Sequence, residues 1–364
     1  MGSGPAGLAC AHHLARMGYG VTVFESLPAA GGMMRVGIPA YRLPREVLQR
    51  EIDAIVAEGV EIKLSTPIRD IHSLFAQGYA SVFLAIGAHE PQRLGIDGED
   101  AKGVYHGVPF LQRVSLAAAG GDLPPVGERV VVIGGGNTAV DAARTALRLG
   151  AREVAIVYRR SREEMPASSW EIEEAEREGV RLELLTAPVA VESKDGRVTG
   201  IRCQRMELGE PDASGRRRPV PVPGSEFVIT ADTMIAAVAQ APEISFLDEG
   251  HGLEVSAKGT FVVDAKTLMT GKPGVFAGGD AYRGPGILIE AIADGRRGAL
   301  SIDRYLRGVD LLTAREEIPL PVAELTDEEI EAIVASGKAD ASPRVVIPTV
   351  PASERVRDFR EVEL

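Results

Sequence analysis

Two glycine-rich turns constrain what this chain can fold into more than any other feature. The first, Gly2-Ser3-Gly4-Pro5-Ala6-Gly7, leads through a helical stretch into an apolar segment that ends at Glu25. The second, Gly134-Gly135-Gly136-Asn137-Thr138-Ala139, follows the apolar run 129–133 and leads into a second apolar run, which ends at Arg159 and Arg160. A glycine turn that opens a helix offers free backbone N–H groups and the positive end of a dipole to a pyrophosphate. The two turns therefore predict two dinucleotide-binding halves.

The residues that end the second strand of each half carry opposite charges. Glu25 can accept hydrogen bonds from a ribose diol. Arg159 and Arg160, with Arg162 as a third candidate, would instead meet a 2′-phosphate through charge-assisted hydrogen bonds. One chain with a carboxylate site and an arginine site predicts two cofactors, most simply FAD and NADPH, and hence an electron-transfer flavoprotein.

The sequence context of the two turns differs. The second follows an apolar strand, whereas the first follows Met1 directly and lacks the strand that normally carries such a turn. We therefore expect a chain whose start is truncated or misassigned.

A third segment supports the flavin prediction. The short apolar strand 274–277 runs into Gly278-Gly279-Asp280 and is followed by Gly286, Ile287 and a helical run from 288 to 303. A carboxylate at Asp280 can hydrogen-bond ribityl hydroxyls, and the helix N-terminus can face the N1–O2 edge of a flavin. The alternative interpretation is a strand, loop and helix in which Asp280 serves only as an N-cap.

Further motifs occur in a characteristic order along the chain: Gly31-Gly32, Gly37-Ile38-Pro39, Leu43-Pro44, Ala85-Ile86-Gly87-Ala88, Tyr158-Arg159-Arg160, Glu164-Met165-Pro166-Ala167, Gln240-Ala241-Pro242 and Gly278-Gly279-Asp280. With these motifs the chain resembles the FAD- and NADPH-binding module of the glutamate synthase small subunit. The same module occurs in dihydropyrimidine dehydrogenase and in the large subunit of NADH-dependent ferredoxin–NADP oxidoreductase. The resemblance implies that Gly32 and Gly87 belong to the FAD site. Ala239 replaces the glycine that the family usually has before Gln240.

The predicted fold class is α/β, with two Rossmann-like domains and the NADPH domain inserted into the FAD domain. Residues 1–110 and 243–310 would form the FAD domain, residues 111–242 the NADPH domain, and residues 311–364 a C-terminal tail with one helix over 327–336. We expect the proline-rich end of the tail to lie on the surface or to await a partner. Residues 205–227, rich in charge, glycine and proline, predict a solvated hairpin tip, with partner docking as the alternative.

Cysteine usage bears on the route by which electrons leave. Cys10 and Cys203 are far apart, so they do not form the close thiol pair that disulfide-reducing flavoenzymes use, and we expect two packed thiols. Members of the resembled family usually have cysteine-rich, cluster-binding segments, which this chain lacks, so truncation at both ends is expected. Electrons would then pass to an iron–sulfur or glutamate synthase large-subunit-like redox partner.

Composition excludes several other classes of protein. A net charge of −12 argues against nonspecific nucleic-acid binding, and no apolar run is long enough to predict a membrane span.

The histidines show no metal-ligand spacing, so we predict no metal site, and hydride transfer requires no catalytic acid or base. Asp141 is interpreted as a helix cap rather than part of the nicotinamide pocket, while Met33 and Met34 fit the core or a flavin wall equally well. The predicted location is the cytoplasm.

The predicted function is an FAD-dependent oxidoreductase that passes a hydride from NADPH to flavin and electrons onward to an iron–sulfur partner or domain. Two alternatives remain open. The chain is a self-contained NADPH oxidoreductase for a soluble carrier, or it is a truncated fragment without activity.

Overall fold

The structure is a computed structural model that describes residues 1–364 except 118–119, 213–214, 246, 248–249, 313–324, 341 and 343–344. The strands are β1 Thr22–Phe24, β2 Glu61–Lys63, β3 Val82–Leu84, β4 Glu90–Pro91, β5 Val104–His106, β6 Arg129–Ile133, β7 Glu153–Val157, β8 Arg181–Glu183, β9 Thr186–Lys194, β10 Arg197–Pro211, β11 Arg217–Thr230, β12 Thr233–Ala236, β13 Gln240–Ala241 and β14 Val275–Ala277. The helices are α1 Pro5–Arg16, α2 Met33–Val36, α3 Arg45–Ala57, α4 His72–Ala76, α5 Gly107–Ala117, α6 Asn137–Arg148, α7 Ser169–Arg177, α8 Asp280–Arg283, α9 Leu288–Leu306, α10 Asp327–Ala335 and α11 Ala352–Arg355.

The second glycine turn lies at the end of the central strand of a five-stranded parallel sheet. The strand order is β5-β12-β6-β7-β8, and every pair in it is parallel. Helix α6 packs on this sheet through four alanines that are fully buried, namely Ala139, Ala142, Ala143 and Ala146. Small side chains let the helix approach the strands closely, as a nucleotide-binding βαβ unit requires.

This sheet corrects one predicted domain boundary. The predicted FAD domain runs to residue 110 and would include β5. In the structure, β5 pairs with β12 in the sheet of the second glycine turn. Leu94, Ile96 and Ala101 pack against the same core. The first crossover therefore lies before these residues, close to β4. Strand β4 pairs with β13, so the two connections between the domains run side by side.

The first glycine turn lies between two short parallel ladders, β1-β2 and β3-β14. The N–H of Gly2 donates to the carbonyl of Phe24 at 2.8 Å, and the N–H of Ala85 donates to the carbonyl of Met1 at 2.8 Å. The backbone at Met1 and Gly2 thus joins the two ladders. Helices α1 and α9 cross closely below the turn: a Cβ on Gly295 would lie 2.2 Å from the Ala6 carbonyl oxygen.

A three-stranded antiparallel sheet, in the order β11-β10-β9, extends from the inserted domain. Asp195 and Gly196, both with positive φ, form the turn between β9 and β10, as expected for an Asp-Gly hairpin. The predicted hairpin over 205–227 is confirmed as β10 and β11, with residues 213–214 of its tip outside the described residues. Arg217 near the tip pairs with Glu163 and Glu164, so this part of the hairpin packs on the inserted domain.

The C-terminal part contains the predicted helix, α10, which begins with a capping box between Thr326 and Glu329. Residues 313–324 of the predicted tail lie outside the described residues. The C-terminal segment (residues 348–364) packs on the body of the protein, with Arg355 4% and Val362 5% exposed. Most other residues of the segment are exposed or half-buried, so these two side chains anchor a segment that lies along the surface. Among the described residues, no helix has both the length and the apolar character needed to cross a membrane.

Candidate dinucleotide sites and the cleft between them

One cleft of about 1100 Å³ connects the two glycine turns. This volume slightly exceeds the roughly 300–1,000 Å³ of ordinary small-molecule pockets, as expected for a site that takes extended nucleotides. The predicted site residues in its walls are Gly2, Gly4, Pro5, Ala6, Glu25, Gly32, Gly87, Asn137, Thr138, Gly279, Asp280, Gly286 and Ile287. Gly7, Gly134, Gly136, Ala139, Arg159 and Arg160 lie outside those walls.

Two glycines of the first turn, Gly2 and Gly7, have no room for a side chain. A Cβ on Gly2 would lie 2.3 Å from the Ala85 carbonyl oxygen, and one on Gly7 would lie 2.0 Å from the Gly2 carbonyl oxygen. A Cβ on Gly32, where φ is +51°, would lie 2.7 Å from the Gly4 Cα. Helix α1 begins with proline at its first position and has no side-chain cap. Its first N–H groups are thus available to a ligand, and the cradle fits a pyrophosphate.

Glu25 lies in the cleft wall with its carboxylate held by its neighbours. Oε2 accepts hydrogen bonds from the Ser3 N–H at 2.9 Å and the Ser3 hydroxyl at 2.6 Å, and Oε1 accepts one from the Leu27 N–H at 2.8 Å. Only 5% of Glu25 is exposed. These bonds fix the orientation of the carboxylate, and its predicted bond to a ribose stays a prediction.

Gly279 and Asp280 also lie in the cleft wall, just after the end of β14. Burial raises the pKa of Asp280 to about 6; the backbone N–H of Gly286 opposes the shift and the nearby Glu290 adds to it. Gly279, with φ of +64°, donates its N–H to the fully buried Asp294 at 3.1 Å. Arg283 holds the same carboxylate at 2.6 Å. Sequence reasoning missed Asp294, because nothing in the sequence separates it from Glu290 and Asp303, the other two carboxylates of the same helix.

A histidine and two methionines also line the cleft. His89 lines the cleft, and burial lowers the pKa of its imidazole, with Glu25 opposing the shift. Met33 and Met34 also line the cleft, and Met34 packs against the core cluster that contains Leu48. The two methionines therefore serve as cleft wall, and Met34 also as core.

The second turn faces the cleft only through the start of α6. Asn137 and Thr138 lie in the wall, where the Gln240 side chain donates to the Thr138 hydroxyl at 3.3 Å. Gly134, with φ of +144°, lies against Ala237: a Cβ there would be 2.2 Å from the Ala237 carbonyl oxygen. Ala139 is fully buried against the sheet. Gly134 and Ala139 thus allow close helix–strand packing, while the N-terminus of α6 presents uncapped N–H groups.

The three arginines after β7 have different surroundings. Arg160 is 5% exposed, and its guanidinium donates to Asp212 at 2.6 Å and to the Arg217 carbonyl at 2.7 Å. The prediction that Arg160 meets a 2′-phosphate is therefore corrected, because the hairpin holds its guanidinium. Arg162 pairs with Glu176 at 2.7 Å. Arg159 is exposed, and within the described parts of the chain its guanidinium has no hydrogen bond or ion pair.

Asp141 has a role that differs from the predicted helix cap. It is the fifth residue of α6, is 4% exposed, and accepts from Arg42 Nη1 at 2.9 Å and 2.8 Å through its two oxygens. Arg42 Nη2 also pairs with Glu171. Burial raises the pKa of Asp141 and raises that of Glu171 to about 7, with Arg42 opposing both shifts.

A family model described as pyridine nucleotide-disulphide oxidoreductase matches residues 1–295. The chain belongs to this family. Among curated members, the glutamate synthase [NADPH] small chain of Escherichia coli is 40% identical, covering 84% of this chain and 68% of that protein. The glutamate synthase small-subunit resemblance is therefore confirmed.

Two longer relatives of this oxidoreductase are more similar in sequence. The NADP(+)-dependent formate dehydrogenase subunit beta of Moorella thermoacetica is 47% identical over all of this chain and 51% of its own length. The NADPH-Fe(3+) oxidoreductase subunit beta of Geobacter sulfurreducens is 46% identical over 84% of this chain and 49% of its own. The chain spans about half the length of these two relatives.

Solved structures share the fold of this oxidoreductase. Mycobacterium tuberculosis FprA in complex with NADPH superposes with a TM-score of 0.71 at 21% identity, over 84% of this chain and 83% of FprA. Thioredoxin reductase of T. acidophilum gives 0.62 at 22% identity, over 85% of this chain and 97% of that one. The predicted α/β fold of two Rossmann-like domains is confirmed.

As a member of this family the chain is classed with the pyridine nucleotide oxidoreductases. Its two thiols differ from what the disulphide in the family description suggests. Cys10 is 2% exposed and Cys203 is fully buried, in separate core clusters. Burial raises the pKa of each thiol to about 12. Both cysteines are packed thiols, as predicted.

Proposed function

We propose that this chain transfers a hydride between NADPH and FAD and exchanges the electrons with an iron–sulfur or glutamate synthase large-subunit-like redox partner. The observation that carries the proposal is the single cleft whose walls include the N-terminal ends of both α1 and α6. Two pyrophosphate-binding helix ends in one cavity bring two nucleotides together. The subunit and small-chain names of the relatives support a partner for the electrons.

We assign the FAD site to residues 1 to about 90 and 243–310, and the NADPH site to the inserted residues between them. Gly2, Gly4 and the start of α1 would hold the FAD pyrophosphate, Glu25 the ribose and Asp280 the ribityl chain. Asn137 and Thr138 would hold the NADPH pyrophosphate at the start of α6, with Arg159 on the 2′-phosphate. We propose a cytoplasmic location, in keeping with the two unpaired, buried thiols.

The chain's own residues would act by binding and orientation. FAD supplies a hydride acceptor that releases electrons singly. The cleft walls would hold the reacting rings together, and the N-terminus of α9 would place the positive end of its dipole near the flavin. No side chain has to move a proton for hydride transfer.

The test is anaerobic mixing of purified, FAD-reconstituted protein with NADPH, followed by addition of an artificial electron-accepting dye. We expect loss of the flavin's visible absorbance on NADPH addition and its return with the dye. A folded protein that takes up no FAD would instead support the fragment alternative. Rapid oxidation by a soluble carrier, together with no association with an iron–sulfur subunit in co-purification, would support the self-contained oxidoreductase.

A further inference from the structure

We propose that Arg42 is a positioning residue that holds the nicotinamide-binding helix α6 in register with the flavin part of the cleft. The proposal rests on the hydride transfer proposed above and adds the contact that aligns the two sites. Arg42 belongs to the loop between α2 and α3, whereas both of its carboxylate partners, Asp141 and Glu171, belong to the inserted domain.

The location of the pair connects it to the chemistry. Asp141 lies one turn after Asn137 on α6, so the two side chains share a face of the helix. Arg42, Asn137 and Asp141 all line the cleft, together with Met33 and Ile38 from the flavin part. A displacement of Asp141 relative to Arg42 therefore displaces the end of α6 that binds the nucleotide.

The pair is built to be rigid. Arg42 Nη1 lies 2.9 Å and 2.8 Å from the two Asp141 oxygens, while Nη2 is held by Glu171, whose side chain is 1% exposed. A planar guanidinium with two carboxylates on different nitrogens has little rotational freedom. A lysine would keep the charge but lose this two-sided geometry.

A buried ion network stands behind the pair and supports it. It consists of four arginines, Arg42, Arg144, Arg148 and Arg355, and four acidic residues, Asp141, Glu171, Glu174 and Glu178. The more exposed Arg177 also pairs with Glu174. The ring of Tyr41, next to Arg42 in sequence, lies 3.8 Å from the Arg148 guanidinium carbon and is fully buried. Residues 41 and 42 thus anchor the flavin part to α6 and α7.

Small misalignment of reacting groups costs large factors in rate, because hydride transfer depends on close approach and orientation. We expect Arg42→Ala to lower the rate of flavin reduction at saturating NADPH at least tenfold, with the dissociation constant for NADPH changed less than threefold. Arg42→Lys should recover part of the rate. The isosteric Asp141→Asn should give an intermediate loss without removing a buried side chain.

The matched control is Arg129→Ala. Arg129 pairs with one carboxylate, that of Asp232, at 2.7 Å, whereas Arg42 pairs with two. The Arg129 pair joins the start of β6 to the start of β12 and lies outside the cleft walls. We expect this variant to keep the wild-type rate of flavin reduction. Anaerobic stopped-flow measurement of flavin absorbance, with FAD content and melting temperature recorded for each variant, separates lost alignment from lost cofactor.

A second measurement needs no cofactor chemistry. Spin labels are attached at two exposed positions, through Glu51→Cys on α3 and Arg181→Cys on β8. Double electron–electron resonance between them reports the distance between the flavin part and the inserted domain. We expect Arg42→Ala to broaden this distance distribution in the flavin-free protein, and Arg129→Ala to leave it unchanged. Unchanged distances together with a wild-type reduction rate in Arg42→Ala would overturn the positioning role. If NADPH cannot reduce the flavin bound to the wild-type protein, the proposed function itself is overturned.

Discussion

Arg159 and Arg160 are neighbours in sequence but differ in what they can contact. The guanidinium of Arg160 is buried and held by the hairpin, whereas that of Arg159 is exposed at the end of β7. Successive side chains of an extended chain point to opposite faces, so these two neighbouring arginines meet different surroundings. The proposed preference for NADPH therefore rests on Arg159.

Arg159→Ala should reduce the preference for NADPH over NADH. A charge-assisted hydrogen bond to a 2′-phosphate contributes about 1.5–3 kcal/mol, which corresponds to roughly 10- to 150-fold in kcat/KM. Steady-state kinetics with both nucleotides measure the ratio. Arg160→Ala serves as the comparison, since it should lower stability rather than change the ratio. Equal kcat/KM for the two nucleotides in the wild type would contradict the assignment.

Asp280 combines a predicted binding role with an unfavourable environment. Its folded-state pKa of about 6 lies above the ordinary value, so its ionised form destabilises the flavin-free protein above about pH 6, and this cost disappears as the pH falls below about 4. Asp280→Asn should therefore raise the free energy of unfolding near pH 7 by about 1–3 kcal/mol. The gain should shrink between about pH 6 and pH 4.

The same substitution should weaken FAD binding, since a neutral amide replaces a charged acceptor of hydroxyl hydrogen bonds. Denaturant unfolding across the pH range and FAD titration measure the two effects. Asp53→Asn, at an exposed position of α3, is the control and should change neither. An Asp280→Asn protein that is less stable at neutral pH and binds FAD normally would contradict both the burial argument and the site.

At the scale of elements, the C-terminal segment is part of the folded structure. Its two ends pair with each other: the Val350 N–H donates to the Val362 carbonyl, and the Leu364 N–H donates to the Pro348 carbonyl. The Val362 N–H donates to the Tyr41 carbonyl at 3.1 Å. Arg355 on α11 contacts Glu174 and, at 2.8 Å, Glu178. Arg144 and Arg148 hydrogen-bond Glu178 and hold its pKa at about 2 against the effect of burial. The segment thus contributes one of the four cations of the buried network.

Arg355→Ala should destabilise the protein by about 3 kcal/mol, because removing one partner of a buried ion pair leaves carboxylates without full compensation. Denaturant unfolding near pH 7 measures the change. Arg360→Ala, which removes an exposed arginine of the same segment, is the matched control and should have no measurable effect. Equal stability of the two variants would show that the segment does not contribute through this contact.

At the scale of the whole molecule, the cleft depends on both domains and on the backbone at Met1 and Gly2, which joins the two ladders of the flavin part. A ligand that binds only this folded arrangement must stabilise it by mass action. Ligand-dependent stability therefore tests the complete cleft.

Added FAD should raise the melting temperature, by an amount that corresponds to about 2.7 kcal/mol when its concentration is 100 times the dissociation constant. Riboflavin, which lacks the pyrophosphate that the start of α1 would bind, should give a smaller shift. Thermal unfolding over a series of concentrations measures both. A folded protein whose melting temperature is insensitive to FAD would remove the basis for the flavin site.

The sequence alone determined the features that depend on local chain geometry. Glycine is required at Gly7, for example, because any Cβ there would collide with the carbonyl oxygen of Gly2, five residues earlier in the chain. Such turns, the apolar strands and α10 are encoded within short segments. The fold class of the protein and the approximate position of the cleft could therefore be predicted. The domain boundary near β5 could not be predicted. This strand has only three residues, and its sequence does not indicate which of the two sheets it joins.

Only the tertiary structure decided which charged side chains are free and which are paired. Arg42 meets Asp141 across 99 residues, and Arg160 meets Asp212 across 52. Neither sequence spacing nor residue type distinguishes these arginines from the exposed Arg159. The physical reason is that an ion pair is selected by burial and by the packing of distant elements, which brings specific partners within about 3 Å and removes the water that would otherwise solvate them.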